Sequence, residues 1–179
     1  MALPVQAVPD KLITTYLHMT SPDQFRPGFV DDLDNAMVVS MKAPDVDFYR
    51  FLYRSVGEPY RWRDRLLMTD EELEAAISEP GVSVNVLYVY GTPAGYIELA
   101  KRPDATEIAY FGLRPGFNGR GLGKHLLSWG IQRAWDDGTP RLWVHTCNLD
   151  SPIALSNYLS RGFVIYDTHV EPMPLRYLY

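Results

Sequence analysis

Apolar residues along this chain follow two periods, and they divide it into strands and helices. "VSVNVLYVYG" (82–91) and "PAGYIELAKR" (93–102) are β-branched and aromatic runs separated by Gly91, Thr92 and Pro93. "TEIAYFGL" (106–113) repeats the pattern ahead of Pro115, which predicts an antiparallel meander of strands. "KLITTYLHMT" (11–20) reads as a first strand and "AMVVSMK" (36–42) as a short second one. A turn-rich connection, "SPDQFRPGFVDDLDN", joins them, so they are expected to pair as a long-looped hairpin. Helical spacing appears at Val46, Tyr49, Phe51, Leu52, Tyr53 and Val56, with Asp45 or Asp47 as cap. "TDEELEAAIS" (69–78) places Thr69 and Glu72 as a capping box and is closed by Pro80 and Gly81. A longer helix carries Leu122, Leu126, Leu127, Ile131, Ala134 and Trp135 and runs to about Asp137, ending at Gly138. "RLWVHT" is apolar or aromatic on both faces, as in a covered central strand. Ser151 and Pro152 suit the start of a last helix that Gly162 ends. "FVIYDTHV" follows as a strand, and "PLRYLY" is expected to pair with it at the sheet edge.

Composition narrows the class. At 179 residues, 46% hydrophobic and 22% charged, the chain is expected to form one domain over residues 1–179, with residues 1–10 a loose end. Its 22 acidic and 17 basic residues show no basic stripe, which disfavours nucleic acid as a partner. The single cysteine, Cys147, rules out an internal disulfide, and no metal-ligand cluster is spaced along the chain. With no apolar leader and no apolar run near membrane-spanning length, a soluble cytoplasmic protein with no membrane partner is expected.

The stretch "NGRGLGKHLL" (118–127) places Gly119, Gly121 and Gly123 at the mouth of a helix, although glycine costs roughly 1 kcal/mol against alanine within one. It is not a Walker A loop, because Asn118 and His125 stand where that motif needs glycine and Ser or Thr. Nor is it a dinucleotide fingerprint, because the third glycine is absent from either starting point. A G-x-G-x-G turn at a helix entrance still exposes amides at the positive end of the helix dipole, a ready place for phosphate. Arg120 and Lys124 add charge there. The alternative is that the glycines only let a turn pack tightly.

"EIAYFGLRPGFNGRGLGKHLL" resembles the acetyl-CoA-binding core of the GNAT superfamily of N-acetyltransferases. Gly121 and Gly123 match its signature, and Asn118 replaces the usual Gln or Arg. "SNYLSRGF" resembles the family's second element, with Tyr158 ahead of Gly162 and Phe163. The likeness is good over about residues 83–166 and extends to residues 11–82 only in element order. It implies an α/β (α+β) GNAT fold, with a mostly antiparallel mixed sheet of about seven strands, about four helices, and splayed strands forming an acyl-CoA cleft.

The resemblance further implies acetyl-CoA as co-substrate, no metal, and direct transfer to an amine acceptor in a ternary complex; it allows a homodimer. By position, the amides of residues 118–124, including Leu122, would hold the CoA pyrophosphate. Phe111 would meet the acetyl carbonyl, and Gly112 and Leu113 would pair with the pantetheine arm. Ser151 stands where relatives place an asparagine that bonds the pantetheine, with Asn148 nearby. A primary amine with a pKa near 10.4 is neutral in only about one molecule in 10³ at pH 7, so a base is needed. Glu107 occupies the strand position of the base in the histone acetyltransferase branch, and Glu98 is the reserve. Tyr158 is the expected proton donor to the departing thiolate, or a hydrogen-bond partner of its sulfur. Cys147 reads as a small core residue rather than a nucleophile, and His145 as a packed or hydrogen-bonded histidine rather than a base. Tyr49, Tyr53, Tyr60 and Trp62 are candidate walls of the acceptor pocket, with Arg61 and Arg63 as partners for a substrate carboxylate. The acceptor itself is not legible, and a non-catalytic acyl-CoA-binding or sensing domain is the alternative.

Overall fold

In the computed structural model, which describes residues 7–31, 33 and 35–179, strands and helices follow one another as β1 (Lys11–Met19), β2 (Ala36–Ser40), α1 (Val46–Gly57), α2 (Asp70–Ser78), β3 (Val82–Val89), β4 (Thr92–Lys101), β5 (Thr106–Leu113), α3 (Leu122–Asp136), β6 (Leu142–Cys147), α4 (Ala154–Ser160) and β7 (Val164–Pro172). Residues 1–6 of the expected loose N-terminus lie outside the described residues. The seven strands form one sheet in the order β2-β3-β4-β5-β6-β1-β7. Every pairing is antiparallel except that of β5 with β6.

Local chemistry sets the helix boundaries. Asp45 caps α1 by accepting from Phe48 N, and Thr69 and Glu72 cap α2 reciprocally. Side chains alternate across the sheet, so neighbouring residues of β4 enter different cores. Ile97 joins Leu17, Ile108, Leu126, Leu127 and Ile131 beneath α3, whereas Tyr96 joins Tyr49, Leu52, Leu73 and Val84 beneath α1 and α2. Each such side chain stabilises the fold by about 1.5–3 kcal/mol relative to exposure.

Several sequence expectations change. β2 exists, but it pairs with β3 from Ala36–Val89 to Ser40–Asn85 and not with β1. β1 sits in the other half of the sheet, where β6 and β7 take both its edges and the core buries Leu17 and Met19. The tight turn between β3 and β4 is Tyr90–Gly91, and Thr92 and Pro93 already belong to β4. "RLWVHT" is fully covered on one face only: Leu142 and Val144 are buried, while on the other face Trp143 is half-buried and His145 exposed. The last helix begins at Ala154 with Ile153 as its uncapped N-cap, and Ser151 instead closes the preceding turn through its carbonyl and Ala154 N. "PLRYLY" forms a 3-10 turn at Leu175–Tyr177 and no edge strand, because its arginine and backbone groups bond to the loop after α1.

Candidate functional site

β5 and β6 pair only at Thr106–Leu142, Glu107–Trp143 and Ile108–Val144, although both strands continue beyond that point. At the last shared position β5 carries a bulge. Glu98 faces Tyr110 and Leu99 faces Ile108, leaving Ala109 as the extra residue. A bulge bends and twists its strand, and here it turns β5 away from β6. The edge of β5 beyond Ile108 therefore has unpaired main chain facing a cleft that opens to solvent.

One end of the cleft is the glycine turn. Gly119 and Gly121 take φ of 81° and 74°, left-handed values that strain any residue with a Cβ. They turn the chain from β5 into α3, whose first backbone bond runs from His125 N to Gly121 O at 3.2 Å. The amides before His125 are left without intrahelical partners, as at any helix start. Leu122 is buried in the core and anchors that start, whereas Asn118 and Gly123 line the cleft. A Cβ on Gly123 would lie 3.8 Å from Leu113 and 4.0 Å from Asn157, which is ordinary contact, so no protein neighbour requires glycine there. Arg120 and Lys124 are exposed beside the turn.

Midway, Phe111, Gly112 and Leu113 from β5 face Tyr158 and Ser151. The Tyr158 ring packs edge-on against Phe111 and Phe163, with centroids 6.2 and 5.9 Å away. Burial, and then the charge of Asp150, raise its phenol above the ordinary tyrosine range, so it stays protonated. Asn148 lies outside this group: its side chain accepts from Ile13 N and donates to Lys11 O, tying the end of β6 to β1.

The other end is aromatic. Tyr53, Trp62 and Tyr110 form one wall, with mutual centroid distances of 5.3, 5.1 and 5.3 Å, and Tyr60 and Tyr177 extend it. Burial pushes the Tyr110 phenol up to about 12 despite the neighbouring Arg65 charge, so this surface is neutral. Tyr49, an expected wall residue, is instead fully buried beneath α1 and donates its hydroxyl hydrogen to Glu98. Arg61 and Arg63 donate to the carbonyls of Tyr177 and Tyr179 at 3.1 and 3.2 Å, which fixes the C-terminal segment against the cleft rather than leaving the guanidiniums free for a ligand.

The two carboxylates of interest occupy different settings. Glu98 is fully buried and bonded to Arg65 and Tyr49, away from the cleft lining. Glu107 faces a side depression with Arg102, Arg141, Trp143 and Tyr166, and its Oε1 lies 4.0 Å from Nε2 of His145, which does line the cleft. Burial raises the Glu107 carboxyl above its ordinary value, and the charges of His145, Arg102 and Arg65 oppose that rise. Cys147 also lines the cleft, its thiol pushed up to about 11 by burial and Asp150. Asp150 and Tyr177 line the cleft without having stood out in the sequence. Asp150 sits in an ordinary polar loop and Tyr177 far along the chain, so neither belongs to a local pattern. Among the described residues no His, Cys, Asp and Glu cluster is suited to a metal ion, and no helix is long and apolar enough to cross a membrane.

Residues 49–163 match the model of the Acetyltransferase (GNAT) family. An uncharacterized N-acetyltransferase from the pepI 3' region of Lactobacillus delbrueckii subsp. lactis is 29% identical over 136 residues, 69% of this chain and 69% of that protein. A functionally unknown conserved protein from Staphylococcus epidermidis aligns with a TM-score of 0.67 and 14% identity, over 89% of this chain and 60% of its own. A GCN5-related N-acetyltransferase from Sphaerobacter thermophilus gives 0.65 and 14%, over 92% of this chain and 52% of its own. The chain thus spans 60% and 52% of those two solved chains, and at this identity the likeness is one of fold.

Proposed function

This chain belongs to the GNAT acetyltransferase family and is an acyltransferase; on that premise we propose that residues 1–179 act as one domain moving the acetyl group of acetyl-CoA to a primary amine by direct attack in a ternary complex. The diphosphate rests on the amides of the 118–124 turn, with Arg120 and Lys124 adding charge at its rim. The pantetheine arm runs along the free edge of β5 at Gly112 and Leu113, within reach of Ser151. The Phe111 amide receives the acetyl oxygen, whose growing negative charge it stabilises. One such donor is worth about 3 kcal/mol of barrier.

The amine nitrogen attacks the carbonyl carbon, and the carbon–sulfur bond breaks as the tetrahedral intermediate collapses. The nitrogen's proton passes to Glu107 by way of bridging water, because His145 stands between that carboxylate and the cleft at 4.0 Å, and burial raises the carboxyl above its ordinary value, which favours proton uptake. Tyr158 gives its proton to the leaving thiolate. Transfer from a raised phenol is uphill, so the donor acts as sulfur charge develops and not before. Glu98 is held in an ion pair and takes no part.

What supports this reading above all is that the parting of β5 from β6 brings Phe111–Leu113, Asn118, Gly123 and Tyr158 to one cleft. Thiol release from acetyl-CoA, followed with a disulfide reagent across a panel of amines, tests it. Amine-dependent release is expected, and binding of acetyl-CoA without release by any amine class would count against it.

A further inference from the structure

We propose that the acceptor is a primary amine with an apolar, aromatic-sized body and no carboxylate, and that Asp150 is the charge that receives its ammonium group. The inference rests on the acetyl-transfer reading and specifies the other substrate of the same cleft. Asp150 stands at the corner between β6 and α4. Its Oδ2 accepts from Thr146 Oγ1 at 2.6 Å and from Cys147 N at 3.0 Å, which fixes the carboxylate in place. Its Oδ1 accepts only from Trp62 Nε1, at 3.4 Å, so that oxygen retains capacity for a further donor on the side where the indole faces the cleft.

The surroundings narrow the ligand. Among the described residues the cleft lining contains no lysine or arginine, and its other carboxylate, Asp64, is paired with Arg176 at 2.9 Å. An acceptor carboxylate would find no lysine or arginine there and would meet Asp150 instead. The Tyr53–Trp62–Tyr110 wall offers aromatic faces to an apolar body and attracts a cation as well. The C-terminal turn, pinned by Arg61, Arg63 and Arg176, adds Tyr177 to that aromatic lining. Asp150 orients the nitrogen, and the proton still leaves toward Glu107.

The test measures binding of 2-phenylethylamine, 2-phenylethanol and phenylalanine to the full chain saturated with CoA, by tryptophan fluorescence and calorimetry. The amine is expected to bind at least tenfold more tightly than either the alcohol or the amino acid. In Asp150→Asn the amine should fall to the alcohol's affinity while the alcohol's own affinity stays the same; a merely structural defect would weaken both. Retention of the tenfold preference by a folded Asp150→Asn chain overturns the proposal. Should that variant fail to fold, the unsubstituted chain decides, and equal affinity for amine and alcohol, or for amine and phenylalanine, overturns it. Failure of CoA itself to bind instead removes the acetyl-CoA reading, and the same panel is then read on the unliganded chain.

Discussion

The Arg65 guanidinium lies 2.7 Å from Glu98 Oε1 under the floor of the cleft, with side-chain exposures of 12% and 1%. The Tyr49 hydroxyl satisfies the other carboxylate oxygen, and Arg65 also lies over the Tyr110 ring at 5.3 Å. Removing one partner from such a pair strands a desolvated charge, which costs about 3–5 kcal/mol. Glu98→Gln should therefore shift the denaturant midpoint strongly. A loss below about 1 kcal/mol would mean that Arg65 swings to solvent and that the pair is not a brace for the aromatic wall.

Glu107 carries the pH prediction. Its folded value is raised, chiefly by burial, so as pH increases through that value the carboxylate forms and kcat/KM should climb, at a pH above the ordinary carboxylate range. Glu107→Gln should lower kcat by about 10²-fold or more and abolish that limb. The stability linkage has the opposite sign. A raised folded value contributes stability below the unfolded value and loses it as pH rises through the folded one. Thermal denaturation of the two chains across that window checks the sign, and unchanged rate and profile in the variant would remove Glu107 as the base.

Tyr158→Phe should lower kcat by about 10²-fold while leaving the affinity for acetyl-CoA within about twofold, because the ring still packs between Phe111 and Phe163. Stopped-flow turnover beside calorimetric binding separates the two. Full activity would eliminate the phenol as proton donor.

Two glycines of the turn should respond in opposite ways. At Gly121 a Cβ would come within 2.9 Å of Val30 Cγ2 on a backbone at φ 74°, so Gly121→Ala is expected to cost about 1–3 kcal/mol of stability. Gly123 has an ordinary helical backbone and room for a Cβ at ordinary contact distances, so Gly123→Ala should leave stability unchanged or raise it by up to about 1 kcal/mol. Its methyl group nonetheless faces the cleft and should weaken acetyl-CoA binding by about tenfold or more. A Gly123→Ala chain with undiminished affinity would show that the diphosphate lies elsewhere.

Cys147 lies in the cleft, but its thiol, pushed up to about 11, is almost entirely protonated near neutrality. Cys147→Ala should keep most of the turnover, and iodoacetamide should react slowly at pH 7, faster only as pH approaches the raised value. Loss of activity in the alanine variant together with a trapped acetyl-thioester would replace direct attack by a covalent route.

Short-range chemistry was legible in the sequence because each signal is contained within a few residues. The Thr69–Glu72 box, the Asp45 cap and the alternation through Val82, Val84 and Val86 specify elements whatever lies around them. The glycine turn and Tyr158 were legible for the same reason, each being part of a compact motif. Strand partners were not. β2 reads as well against β1 as against β3, and only the competition of β6 and β7 for the edges of β1 decides the pairing. The partly covered face of β6 and the break of β5 from β6 at Ile108 likewise follow from which strands and helices run out of partners. The reacting end of the cleft belongs largely to this second kind. Tyr53, Tyr60 and Trp62 were legible as one aromatic cluster, but Tyr110, Asp150 and Tyr177 come from well-separated parts of the chain, and Glu98 and Glu107, alike as sequence, differ because one meets Arg65 in the core and the other meets His145 beside the cleft. The sequence alone determined which segments could become strand, helix or anion-holding turn, since those depend on local sterics and hydrogen bonds. Tertiary packing alone decided which carboxylates are buried, paired or facing the cleft, since burial and charge partners are properties of the assembled sheet.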